Sequence, residues 1–425
     1  MRWFVSVLAL SQLAAALRHA RWRSKQEDIV PPHSALSPWT VPLHRRPRRL
    51  SQSLSLVQLE ATEGVEADDI VAEELYGTLY VGSPPQELTV TFDTGSGNIL
   101  LPAKDCPSVA CMSHKTYDPS KSVAAEAIAN IREPHASLKT PERVRLSIGN
   151  GEVMGDLVVD QVCLNAARSV CARTGIVKLE EMSYEPFSLL PYDGVVGLGM
   201  PAASLDYRFD ILGNMAEDGT LQDNRFAIWI ATETDKDPSE ITFGTFTQGR
   251  MVTDIVWLPV SRKDTGMWQT TIKDIYVDEV PLSICGKGGC QVAFDTGTAG
   301  IAAPTSVVKT MVAELGIKSG CVVGQGKRLG FAFGDDWLLN IDESDYVKHH
   351  GDKCQHQLVE VDMPPPRGPI IFLGDAFFRR YYTVFDRNAL RVGVAFAKHT
   401  ASPGGETSEQ ASQRLMVYTG STTDE

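Results

Sequence analysis

Several functional classes lack their usual marks in this sequence. No Cys-x-x-Cys spacing occurs, and the adjacent pair His349 and His350 has no third ligand at metal-binding spacing. That argues against a zinc or cluster site. The stretch "GQGKRLG" (324–330) has the wrong glycine spacing for a phosphate loop and reads as a turn. No histidine and aspartate accompany a serine or cysteine in the manner of a nucleophilic triad. Asn-x-Ser/Thr is absent, so N-glycosylation is not expected. Beyond the first 17 residues no apolar run approaches the length of a membrane span.

What is present is a chain of 425 residues, 43% hydrophobic, with a net charge of −13. This length predicts two lobes or domains. The charge is uneven. Residues 1–50 carry nine basic against two acidic side chains, a balance of +7 that leaves −20 for the rest. A basic head on an acidic body predicts pairing of the two, and the body would repel nucleic acid. Arg2, the apolar "WFVSVLALSQLAAAL" and Ala14-Ala15-Ala16 read as a secretory signal over 1–16. Residues 17–60, rich in Arg, Pro and Ser, read as a removable basic segment or linker without a core role. Eight cysteines, Cys106, Cys111, Cys163, Cys171, Cys285, Cys290, Cys321 and Cys354, suit an exported protein with disulfides. Neighbours in sequence are the simplest pairing among 105 possibilities. The last residues, 399–425, hold little apolar content and are expected to be a disordered tail.

From Tyr76 onward, short alternating segments separated by turns predict a mostly β chain. Helical patterns are few, with the best at 206–216 and 306–315. Within this texture "TFDTGSGNIL" (91–100) and "AFDTGTAGIA" (293–302) repeat Phe-Asp-Thr-Gly followed by a hydroxyl residue. Each follows an apolar strand, so each aspartate sits at a strand end. Gly95 and Gly297 permit a tight turn, Ser96 and Thr298 offer hydroxyls to the carboxylates, and Thr94 and Thr296 can brace the loops. Two such loops predict one shared site. Two facing carboxylates would share a proton, because both cannot ionise side by side. One then accepts a proton from water while the other polarises a peptide carbonyl. A glycosidase also uses paired acids, but that reading leaves the duplicated glycine loops unexplained.

The stretches "YGTLYVGSPPQELTVTFDTGSGN", "YDGVVGLG", "CGKGGCQVAFDTGTAGIAAPTS" and "FLGDAFFRRYYTVFDRNALRVGVA" resemble the pepsin-like aspartic proteases, over about residues 75–398. The resemblance implies an all-β, bilobal fold with a central cleft and few short helices. It places an N-terminal lobe at 61–249 and a C-terminal lobe at 250–398. It implies catalytic Asp93 and Asp295, strands 195–197 and 372–374 behind the loops, and disulfides Cys106–Cys111, Cys285–Cys290 and Cys321–Cys354. Cys163 and Cys171 lie outside the family pattern. It further implies an endopeptidase with an acid pH optimum that acts on extended peptides. Such an enzyme needs no cofactor or metal and is expected to be a monomer. It would be made as a zymogen whose basic pro-segment covers the cleft until it is cut within 49–75, and it would be secreted or delivered to a lysosome or vacuole. A catalytically weak peptide-binding protein on the same fold is the alternative.

One departure stands out. The flap of this family carries a Tyr, and a Trp follows the first loop. The matching positions here are Ile148, beside Gly149 and Gly151, and Leu100. An apolar contact between Ile148 and Leu100 is expected in place of the polar one.

Overall fold

The computed structural model describes residues 39–49, 71–128, 131, 143–149, 151–317, 326–334, 336–350, 353–400 and 406–419. The signal-like residues, the stretches 17–38 and 50–60, and Cys321 lie outside them. The chain is mostly β, built on a 14-stranded and a 9-stranded sheet.

The two lobes repeat one local plan. In the first, strand Gln86–Asp93 buries Leu88, Val90 and Phe92 on alternate positions and ends on Asp93. It runs parallel to Gly194–Gly197, with Phe92 opposite Val196 and Asp93 opposite Gly197. Strand Ile99–Pro102 returns antiparallel to Gly194–Gly197. In the second lobe, Cys290–Phe294 runs parallel to Ile371–Leu373, with Phe294 opposite Leu373. Ile301–Ala303 returns antiparallel to it. Helix Thr305–Leu315 then packs Val308, Met311 and Leu315 inward and ends at Gly316, whose φ of +66° closes a left-handed C-cap.

The larger sheet crosses residue 250. Strands Val256–Pro259, Tyr381–Asp386 and Arg391–Phe396 continue it beyond Arg225–Trp229. Polar bonds tie the lobes as well. Trp268 Nε1 donates to Leu198 O at 2.9 Å, and the buried Arg387 meets Asp210 at 2.6 Å. Cys106–Cys111, Cys163–Cys171 and Cys285–Cys290 are disulfides, and Cys354 is also disulfide-bonded. Cys163–Cys171 staples the end of the long hairpin formed by Gly151–Cys163 and Cys171–Met182.

Two expectations require correction. The segment at 17–60 contains a core element. Trp39–Arg49 is a strand whose first half, to Leu43, pairs with Ser239–Phe243 and whose second half, from His44, pairs with Val71–Val81, and it buries Val41 and Leu43. The alternation Val41–Leu43 is too short to read alone, and its partner lies about 200 residues away. Nor is the tail disordered over 406–419. Helix Ser408–Leu415 starts on a capping box between Thr407 and Gln410, and strand Met416–Tyr418 adds to the edge of the smaller sheet. Its low apolar content is concentrated on one face, where Ala411 and Leu415 are fully buried. Leu415→Ala is expected to destabilise the protein by about 2–5 kcal/mol, read from denaturant unfolding.

Candidate active site

The two FDTG loops meet between the lobes. The two carboxyls converge on one point: a Cβ on Gly95 would lie 2.7 Å from Asp295 Oδ1 and 3.2 Å from Asp93 Oδ1. Each carboxylate is first held by its own loop: Gly95 N donates to Asp93 Oδ1 at 2.8 Å, and Gly297 N donates to Asp295 Oδ1 at 3.0 Å. The threonines then cross over. Thr94 Oγ1 donates to Phe294 O at 2.8 Å, and Thr296 Oγ1 donates to Phe92 O at 2.6 Å. Each hydroxyl also accepts the partner threonine's N–H at 3.0 Å, across 202 residues of sequence. Four bonds thus lock the loops in a near two-fold arrangement that neither lobe makes alone.

The symmetry breaks at the following hydroxyl. Thr298 Oγ1 donates to Asp295 Oδ2 at 2.8 Å, whereas Ser96 Oγ is buried with no hydrogen-bond partner among the described residues. The expected matching role of Ser96 is therefore not seen. Burial, and then the adjacent charge of Asp93, push the Asp295 carboxyl up to about 7. The buried pair therefore favours keeping one proton between its two carboxyls. Among the described residues, no group of three or more metal-ligating side chains comes together.

Above the pair lies a hairpin made of Arg143–Ile148 and Gly151–Cys163, with Ile148 opposite Gly151. Gly149 turns its tip with a φ of +56°. A Cβ on Gly151 would fall 2.5 Å from the Phe187 ring, so the hairpin leans directly on the segment 186–190. Ile148 packs against the apolar cluster that contains Leu100. Both line a gap of only about 10 Å³, so little open space remains on this side of the hairpin. The expected apolar replacement is thus present, with Phe187, Leu190 and Tyr192 as further members.

Those three residues were not singled out from sequence, nor were the apolar residues opposite them. The cleft has a volume of about 770 Å³. The first lobe walls it with Ile148, Phe187, Leu190 and Tyr192, and the second with Met267, Met363 and Phe372. Tyr192 lay in a quoted stretch, but no local spacing marks a residue that merely faces a cleft. Asp193 holds this wall in place by accepting from Thr89 N and Lys115 N, both at 2.8 Å.

Comparison with known proteins agrees with this architecture. The family model for eukaryotic aspartyl proteases matches residues 74–397. Pepsin A of Sus scrofa is 29% identical over 333 residues, covering 76% of this chain and 81% of its own. Pepsin II-1 of Oryctolagus cuniculus is 29% identical, covering 79% of this chain and 84% of its own. Plasmepsin VI of Plasmodium berghei (strain Anka) is 28% identical, covering 77% and 75% respectively. With paired FDTG loops at a two-lobed cleft and a family match over well more than half its length, the chain belongs to the eukaryotic aspartyl protease family.

Proposed function

We propose that this protein is an aspartic endopeptidase that uses Asp93 and Asp295 to hydrolyse peptide bonds. The observation that carries the reading is the convergence of the Asp93 and Asp295 carboxyls between two loops locked by crossed threonine bonds. A water between the two gives a proton to ionised Asp93 as its oxygen attacks the peptide carbon. Asp295 donates its proton to the carbonyl oxygen, which produces a neutral tetrahedral diol. Asp93 then passes its proton to the departing nitrogen, the C–N bond breaks, and Asp295 recovers a proton from a diol hydroxyl. The hairpin, seated on apolar side chains, would close over a bound substrate and limit competing water.

An extended substrate would lie between the hairpin and the cleft walls, hydrogen-bonding through its main chain. The apolar walls on both lobes favour apolar side chains on either side of the cut. The basic N-terminal region and the signal-like first residues support a precursor that enters the secretory pathway and is cut within 49–75. Lysosomal or vacuolar delivery and secretion both fit this route. The mature enzyme would act as a monomer without a cofactor.

The processed protein is expected to cleave an extended apolar peptide near pH 4, and a statine-type inhibitor should block it. Because one proton must stay on the pair, activity should fall as pH rises through about 7. Absence of cleavage in a processed, folded protein would favour a peptide-binding role on the same fold.

A further inference from the structure

A second groove lies away from the cleft, with a volume of about 790 Å³. One side is the continuous run of residues 253–259, which contains strand Val256–Pro259. This strand ends the larger sheet and pairs with Arg391–Phe396 on its inner side. Val260 N donates to Leu390 O at 2.9 Å. In an antiparallel ladder bonded residues alternate, so Leu258 and Val256 also bond inward, while Trp257 and Pro259 turn their backbone groups outward. Pro259 has no N–H, and at this position the ladder loses nothing by it. Among the described residues the outward N–H and C=O of Trp257 and the C=O of Pro259 have no backbone partner, so they can pair with an added strand.

The other side of the groove is built from Trp337 and from Met416 of the C-terminal segment. That segment lies beyond the family match, which ends at 397, so the extension completes one wall of a groove whose other residues lie within the match. Its walls are largely apolar. Its charged lining consists of Asp254 and Asp336, with no lysine or arginine. Neither carboxylate has a hydrogen-bond or ion-pair partner among the described residues.

We infer that this groove is a binding site for an extended, cationic peptide segment, which adds as a strand beside Val256–Pro259. Main-chain bonds to Trp257 and Pro259 would set its register. Apolar side chains on one face would enter between Trp337 and Met416, and Lys or Arg side chains would meet Asp254 and Asp336. A second copy of this chain is a poor occupant, because the net charge of −13 repels it. The site lies outside the cleft, so it can hold a protein ligand whether or not the cleft cuts it.

The test uses the full chain carrying Asp295→Asn, so that the probe is not cut. Fluorescein-labelled Lys-Val-Lys-Val-Arg-Val is titrated by fluorescence anisotropy, beside a peptide with Glu at each basic position. The basic peptide should bind one per chain and the acidic one should not. Asp254→Lys and Asp336→Lys should each weaken binding at least tenfold with the melting temperature unchanged, while Glu360→Lys in the cleft should change it less than twofold. Amide exchange at Trp257 should slow on binding. No binding, loss on Glu360→Lys instead, or self-association abolished by Asp254→Lys would overturn the proposal. Because the readout is binding, it stands or falls separately from peptide hydrolysis.

Discussion

Asp295→Asn should lower peptide hydrolysis by about 10⁴-fold, at the upper end of what one acid–base group supplies. The amide can neither hold nor return the proton that the carboxyl carries. Asn fits the same volume: Gly297 N can still donate to its carbonyl oxygen, and Thr298 Oγ1, which meets the other carboxylate oxygen, can turn to accept from the amide NH2. The fold should therefore persist, and stability gives an independent check. The Asp295 carboxyl sits at about 7 in the folded protein, above its ordinary value of 3.8. A raised carboxyl contributes stability that is fully present below the unfolded value and is lost as pH rises through the folded one. Between about pH 4 and 7 the parent should lose stability from this group, while the Asn variant should not. The variant should melt above the parent at pH 7 even though it is inactive. Hydrolysis within tenfold of the parent would reject the assignment of Asp295.

Gly95→Ala should cost about 10²-fold in kcat, the scale expected when reacting groups are displaced by roughly 1 Å. The backbone at Gly95 is not in the left-handed region, so alanine introduces no dihedral strain there. The effect is purely steric. The added methyl would fall 2.7 Å from Asp295 Oδ1 and 3.2 Å from Asp93 Oδ1. The first distance is closer than carbon and oxygen tolerate and the second is tight, so the Asp295 carboxyl must move away and a water held by the pair would be misplaced. Gly297→Ala should be milder, because its methyl would lie 3.0 Å from Asp93 Oδ1 and 3.3 Å from Asp295 Oδ1. Steady-state kinetics on both variants, with thermal melts, separates this from unfolding. Equal rates for Gly95→Ala and parent would show that the pair needs less room than its geometry indicates.

The part of the site legible in sequence was the part that is duplicated. Phe92-Asp93-Thr94-Gly95 and Phe294-Asp295-Thr296-Gly297 each carry a strand end, a carboxyl, a brace and a turn in adjacent positions. Their repetition announced one shared centre. The asymmetry between Ser96 and Thr298 was not legible, because residue type fixes a hydroxyl but not where it points. The cleft walls were also hidden, since Phe187, Met267 and Phe372 meet only after three separate strands and turns are placed. The strand Trp39–Arg49 looked like a charged linker because its apolar half, Val41 and Leu43, pairs with Ser239–Phe243 about 200 residues away. The helix Ser408–Leu415 could have been found from Thr407 and Gln410 at capping-box spacing, even though its mean apolar content is low.

The crossed threonine bonds carry a consequence for how the protein tolerates change. Thr94 and Thr296 each serve a carbonyl of the opposite lobe and each other's backbone. Losing one hydroxyl also strands the groups that it held in the other half, so the second loss adds little. Damage at one locus should therefore be inherited as damage at both, and suppressor substitutions should arise some 200 positions away as readily as next door.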